Sequence, residues 1–449
     1  MADTPSTEEP RLQRSIGAGM LALYGLGTML GVGIYGLVGR AAGMLGGAVW
    51  AAFLVAMAAA LLTGLSYAAL GARYPRAGGA AYIIERAYRR RVIAYTAGLA
   101  VIASGLTSMA TGARIFGDNL DALFDFGAPV ELYAAGYLLV LCVLVWRGLR
   151  ESLWVNALCT LVEAAGLILL IVLGARFWGQ ADLMELPSEQ NWGATGLLLA
   201  QSAVLTFFAF LGFEDTLNVA EEVKNPARNV PLGIIGAMLA ATILYMLVAV
   251  TAVSVVPWRD LAEAPAPLGA VMERAAPWLP SIVYSGVTIF AVANTSLINF
   301  VMASRLTYGL ARQGFLPKPL MRIHPKRHTP HVAAIAIFAA ATLLVFAGDV
   351  SQLAAATVLL LLAVFALMNG AQLLLANRAG EPRAPIRLPS LVPALGGLIC
   401  LGLLGARALG GEIRAPLIAL ALIGGILLLY FATRATHRPD ATPSEEAAT

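Results

Sequence analysis

Apolar runs long enough to cross a membrane recur along this 449-residue chain and leave few folds open. A helix needs about 20 apolar residues to span the hydrocarbon. Hydrocarbon satisfies no backbone N–H or C=O, so runs of this length must close their hydrogen bonds internally, as α-helices. Candidate spans are 16–38, 45–71, 92–115, 131–148, 153–176, 197–219, 232–256, 280–304, 331–348, 351–376, 391–409 and 413–433. The expected fold is an all-α polytopic membrane protein with about twelve transmembrane helices in a lipid bilayer. Charged residues make up only 12% of the chain, against about 25% in soluble proteins. The pI near 9.0 invites a nucleic-acid reading. The basic residues, however, lie in short loops between apolar runs, so no nucleic-acid partner is expected.

The loops also orient the chain. With the N-terminus inside, only Arg40, Arg114, Arg176, Arg259, Arg274, Arg407 and Arg414 of the 30 Lys and Arg fall outside. That asymmetry obeys the positive-inside rule. It predicts a multi-pass protein of the cell membrane with both termini cytoplasmic, residues 1–15 and 434–449 forming short tails. No signal-peptide core follows the polar residues 1–15. Cys142, Cys159 and Cys400 all lie within apolar runs, with no metal-ligand spacing. His324, His328 and His331 share one loop with no cysteine or carboxylate among them, which favours a solvated basic loop over a metal site. No cofactor is expected.

Two spans are interrupted at matching points. The first carries Gly27-Thr28-Met29-Leu30-Gly31-Val32-Gly33 at its centre, and the sixth carries Phe208-Ala209-Phe210-Leu211-Gly212-Phe213. A helix that unwinds at such a point frees backbone groups, which is tolerated only where they line a cavity. Two broken helices five spans apart point to a solute site at the bilayer midplane between inverted repeats. Residues 16–176 and 197–376 are the expected five-helix halves, and 391–433 supplies two peripheral spans. Loops 72–91 and 257–279 occupy equivalent places after spans two and seven. The first reads as a basic amphipathic helix after a turn at Pro75 and Gly78-Gly79; the second holds a short helix at 268–275.

These segments resemble the amino acid–polyamine–organocation superfamily of secondary transporters. GTMLGVGIYG is similar to that family's glycine-rich break. FFAFLGFEDTLNVAEEVKNPARNVPLGI is similar to its longer sixth-span signature, and YPRAGGAAY and SRLTYGLARQGFLPKPL match further patterns. The resemblance implies a five-plus-five inverted repeat with discontinuous spans one and six, alternating access, and amino acids as substrate. It also implies an aromatic outer gate at Phe208.

The physics of an amino acid site fits the breaks. An α-carboxylate needs N–H donors and positive potential, which the half-helix beginning at Gly31, Val32 and Gly33 supplies. An α-ammonium needs acceptors, which the carbonyls of Met29, Phe208 and Leu211 supply. The family often has Ser where this chain has Val32, so one hydroxyl donor is lost. Phe213 is a candidate for the side-chain pocket, and Ser108 and Asn294 are candidate polar contacts at membrane depth. These groups favour small or medium neutral amino acids. Glycines at a break also serve close helix packing, the alternative reading for Gly31 and Gly33.

Glu163 and Glu214 are the candidate proton-coupling groups. An ionised carboxylate within a span is costly, so it is paired or protonated. Some proton-coupled relatives carry a lysine where this chain has Glu163. H⁺ is the expected coupling ion, acting through symport or exchange. Na⁺ held by Thr295, Ser296 and span-one carbonyls is the less favoured choice. The alternatives are transport of another small amine or organic cation, or an amino acid sensor that moves nothing. No HExxH or nucleophile elbow suggests an enzyme. Some relatives are tethered to a glycoprotein by an external disulfide. The predicted external loop at 116–129 has no cysteine, so no obligatory disulfide-linked subunit is expected.

Overall fold

The computed structural model describes residues 14, 16–75, 79–124, 127–147, 153–187, 192–312, 316–325, 327, 329–409 and 413–434. The expected tails at 1–15 and 434–449, except Arg14 and Arg434, lie outside these residues, as do Gly78 and His328. The described residues form helices and no strand. The helices are α1 (Ala18–Met29), α2 (Val32–Leu45), α3 (Val49–Arg73), α4 (Gly79–Tyr88), α5 (Arg91–Phe124), α6 (Val130–Arg147), α7 (Leu153–Gly174) and α8 (Trp192–Phe207). There follow α9 (Pro226–Val255), α10 (Trp258–Glu263), α11 (Pro267–Ala275), α12 (Ser281–Arg312), α13 (His331–Val345), α14 (Val350–Ala376), α15 (Leu391–Leu409) and α16 (Arg414–Arg434). Ten segments are long and apolar enough to cross a bilayer, with α2 and α3 running together as one; α1 and α13 are shorter apolar helices. The chain is an all-α polytopic membrane protein.

The core forms where α5 packs on α12 and α14, and where α3 and α1 pack on α9. In the most apolar windows of α15 and α16 only 28% and 17% of residues are buried. These two helices therefore present most of their apolar surface outward, as a lipid-facing element does.

Several boundaries differ from the sequence expectation. Helix α5 runs on to Phe124 through residues expected in an external loop. Its polar residues there find partners without leaving the helix: Asp118 pairs with Arg40 at 3.1 Å, and Asn119 donates to the Ile115 carbonyl. Helix α9 starts at Pro226 rather than 232, because proline at the first helical position forfeits no hydrogen bond. The 257–279 segment holds two short helices, α10 and α11, where one was expected. The amphipathic stretch after α3 forms α4, with Ile83, Ile84 and Ala87 buried. It is clamped in place by Arg86 and Tyr74 on Glu381 at 2.6 and 2.9 Å and by Arg378 on the Arg86 and Ala87 carbonyls.

Both interrupted spans are broken where the sequence placed the breaks. Helix α1 stops at Met29 and α2 starts at Val32. Helix α8 gives way to a 3-10 turn at Phe208–Phe210, and the chain resumes as a 3-10 helix over Phe213–Glu222. Each break has one glycine in the left-handed half of conformational space: Gly31 at φ 125° and Gly212 at φ 119°. A Cβ at Gly31 would run into the Thr295 hydroxyl, and one at Gly212 would meet the Thr28 backbone at 2.6 Å.

The carbonyls released by unwinding find side-chain donors. The single hydroxyl hydrogen of Tyr245 on α9 is shared between the Met29 carbonyl at 2.7 Å and the Ala209 carbonyl at 2.9 Å. Thr28 lies 2.9 Å from the Gly212 carbonyl, and Thr295 lies 3.1 Å from that of Leu30. The start of the first broken span also meets the end of the sixth, with Ile16 donating to the Glu222 carbonyl and accepting from Lys224 at 3.0 and 2.8 Å.

Removing the shared donor leaves buried carbonyls under-satisfied, at a cost of about 1–3 kcal/mol. Tyr245→Phe is expected to lower the thermal unfolding midpoint in detergent while preserving helicity by circular dichroism. Gly31→Ala and Gly212→Ala should each lose at least as much, since strained backbone alone costs roughly 1–3 kcal/mol. Gly286→Ala, with open space around it, is the control. Equal loss in all three glycine variants would show that the two breaks do not depend on left-handed glycine.

Candidate functional site

The breaks face one cavity of about 740 Å³, part of it continuous with open space. Its walls are the start of α2, the 208–215 segment, and the facing sides of α5, α12 and α14. Among the residues expected from sequence, Met29, Val32, Gly33, Ser108, Phe208, Leu211 and Glu214 line it. The first N–H groups of α2 have no partner within the helix. They belong to Val32 and Gly33 on the cavity wall and to Ile34 behind them. The local potential is positive there. This corner of the cavity can hold a carboxylate.

The acceptor side is less open than expected. The Met29 carbonyl already accepts from Tyr245, and that of Phe208 accepts from the Leu211 N–H at 3.2 Å. Each carbonyl oxygen has a second lone pair, so both remain able to take an ammonium.

Three expected residues are placed elsewhere. Gly31 shapes the break through its backbone and is not on the cavity wall. Phe213 is fully buried, packed edge-on against Tyr67 at 5.5 Å and tilted on Phe365 at 5.2 Å. Asn294 turns away from the cavity and donates from Nδ2 to Glu163 Oε1 at 2.9 Å. Gly33 has a second job besides lining the wall, since a Cβ there would collide with the Ala209 backbone. Close packing of the two breaks therefore needs glycine at 33.

Six polar residues line the cavity that the sequence does not assign to a role at the substrate site: Thr28, Ser104, Asp215, Thr295, Asn299 and Thr357. Asn299 donates to the Ser108 hydroxyl at 3.0 Å, joining α12 to α5. A helical wheel separates it from Asn294. Five residues rotate a helix by about 140° from the starting direction, so the two asparagines cannot share a face. Thr295, Asn299, Met302 and Leu306 recur at helical spacing, and all four line the cavity. That stripe was visible in the sequence and was passed over for the denser Asn294-Thr295-Ser296 cluster. Asp215 shares the wall with Glu214, whose Oε2 accepts from the Gly212 N–H at 2.8 Å. No Lys, Arg or His is among the lining residues.

Glu163 is outside the cavity and fully buried. Its backbone carbonyl accepts from the Tyr35 hydroxyl at 2.6 Å, and Asn294 holds Oε1. Oε2 has no partner among the described residues. The next residue on α12, Thr295, bonds the Leu30 carbonyl at the first break. Two adjacent residues of one helix thus connect Glu163 to the edge of the cavity.

The three cysteines are free and buried. His324 and His331 meet edge-on with ring centroids 5.6 Å apart. No group of three potential metal ligands occurs among the described residues.

Known transporters are similar to this chain in sequence. The chain is 27% identical over 457 residues to a branched-chain amino acid permease of Bacillus subtilis, covering 96% of this chain and 95% of the other. It is 34% identical over 367 residues to a vacuolar cationic amino acid transporter of Arabidopsis thaliana, covering 76% of this chain and 60% of the other. A methylthioribose transporter of Bacillus subtilis is 28% identical over 420 residues, with 87% of each chain covered. These relatives are transporters and not enzymes. The amino acid permease profile matches residues 20–433, nearly the whole chain, and the chain belongs to the amino acid permease family.

Proposed function

We propose that this protein is a secondary active transporter that moves amino acids across the cell membrane by alternating access, with both termini cytoplasmic. The observation that carries the reading is the pair of left-handed glycine breaks, Gly31 and Gly212, facing one cavity. The substrate carboxylate docks on the N–H groups at the start of α2. The ammonium lies toward the carbonyls of Met29, Phe208 and Leu211, and Phe208 closes the outer side. The two breaks, with α4 after α3 and α10–α11 after α9, support a five-plus-five inverted repeat. The protein works without a disulfide-linked subunit.

The cavity's charge bears on substrate class. Glu214 and Asp215 are on its wall, and no Lys, Arg or His is among its described lining residues. An anionic side chain is repelled, while neutral and cationic side chains are accommodated. The named substrates of the relatives include branched-chain and cationic amino acids. In proteoliposomes, alanine, leucine and lysine are expected to compete with labelled substrate at least tenfold better than aspartate or glutamate. Methylthioribose belongs in the same panel as a test of the non-amino-acid alternative. Aspartate or glutamate outcompeting the others would overturn the assignment of the cavity.

Coupling to H⁺ is assigned to Glu163, the buried carboxyl linked through Asn294 and Thr295 to the first break. A protonation state that biases the outward–inward equilibrium is itself biased by substrate, because linkage is reciprocal. Glu163→Gln mimics the protonated form. It is expected to lower uptake driven by a pH gradient at least tenfold relative to substrate exchange measured in the same vesicles. An unchanged ratio would remove Glu163 from coupling, and uptake driven equally well by a Na⁺ gradient would replace the ion.

A further inference from the structure

We propose that Asn156, Thr160 and Glu163 form a hydrated proton path along α7, entered at the start of that helix and closed at Glu163. The proposal rests on the proton-coupled reading of Glu163 and adds the route by which the proton arrives.

The three residues stand at i, i+4 and i+7, which places them on one face of α7. All are buried, with relative exposures of 1%, 0% and 0%. Both amide atoms of Asn156 and Oε2 of Glu163 lack a hydrogen-bond partner among the described residues. Between them, the Thr160 hydroxyl shares its hydrogen between the backbone carbonyls of Asn156 at 2.8 Å and Leu23 at 3.4 Å and keeps its lone pairs to accept. Buried polar atoms in folded proteins are satisfied by protein groups or by ordered water. Three orphans and a hydroxyl on a single face are what a short file of water would bind.

The opposing helix packs closely against this face. Gly27 of α1 faces the stripe, and a Cβ there would overlap the Thr160 hydroxyl and approach Asn156 Oδ1 to 3.1 Å. Gly27 belongs to the glycine-rich break, yet it does not line the substrate cavity. Its place against Asn156 and Thr160 gives it a separate function. At 1.5 Å per residue, the path from 156 to 163 is about 10 Å long. Asn156 lies in the first turn of α7, the end that the distribution of Lys and Arg assigns to the cytoplasm.

No cation pairs with Glu163 among the described residues. The ionisable groups on the elements around it are chiefly phenols: Tyr24 of α1, Tyr35 of α2, Tyr245 of α9 and Tyr284 of α12. Tyr35 and Tyr245 donate to backbone carbonyls. Glu273 and Arg274 of α11 are exposed, and Arg176, beyond the far end of α7, holds the Ala275 carbonyl. The transfer step is a simple proton exchange. The Oε2–H bond of Glu163 breaks, an O–H bond forms on the nearest water, and Asn294 continues to donate to Oε1 of the carboxylate left behind. Reprotonation reverses each change.

The test uses the full-length protein in proteoliposomes. The infrared C=O band of the neutral Glu163 carboxyl is identified as the one missing from Glu163→Gln. Its shift after transfer to D₂O then reports access of water to Oε2. Asn156→Leu and the near-isosteric Thr160→Val are each expected to slow that shift at least tenfold and to lower the ratio of pH-driven uptake to exchange at least tenfold. Asn156→Ser, which keeps a hydroxyl at the entrance, should restore both. If Glu163→Gln abolishes pH-driven uptake while Asn156→Leu and Thr160→Val exchange deuterium at the wild-type rate, the path is wrong and the coupling assignment stands. If Glu163→Gln leaves pH-driven uptake unchanged, the coupling assignment fails and takes the path with it.

Discussion

Hydrocarbon offers no hydrogen bonds, and the architecture of this protein follows from how two interrupted helices meet that constraint. Each interruption exposes backbone groups that must be satisfied within the protein. Donors from other helices satisfy the carbonyls: Tyr245 from α9 serves both breaks, Thr28 reaches from the first break to the second, and Thr295 reaches in from α12. The first N–H groups of α2 have no partner within the helix, and Val32 and Gly33 place theirs at the cavity wall. The result is an asymmetric site, in which positive potential is freely offered and acceptor capacity is partly used.

The same bonds make the breaks depend on each other. Gly212 packs on the Thr28 backbone, and Gly33 packs on Ala209. Ile16, just before α1, is joined to Glu222 and Lys224, just before α9. A movement of one broken span is therefore transmitted to the other through direct contact. Substrate bound between them can favour one arrangement of the pair, as differential binding to two states requires.

Polar residues at membrane depth divide into two groups that sequence alone does not separate. One faces the cavity: Ser108, Thr295, Asn299, Glu214 and Asp215. The other lies behind the first break: Asn156, Thr160, Glu163 and Asn294, all outside the cavity wall. Helix α12 contributes to both from adjacent positions, because residues 294 and 295 point about 100° apart on a helix. The cavity with Glu214 and Asp215 on its wall and the buried carboxyl of Glu163 are therefore two separate polar environments.

Hydropathy and charge were enough to establish a helical multi-pass protein, because run length and backbone satisfaction admit few other solutions. The paired glycines were enough to locate both breaks, since only glycine adopts φ near 120° without strain, and Gly31 and Gly212 do. The sequence also singled out the part of the cavity wall that the breaks supply at Met29, Val32, Gly33, Phe208 and Leu211. Side-chain direction was beyond its reach. Phe213 and Asn294 were credible cavity residues until packing turned one toward Tyr67 and Phe365 and the other toward Glu163. Asn299 looked unremarkable until α5 placed Ser108 beside it. Periodicity shows which residues share a face of a helix, but only tertiary contacts decide what that face meets.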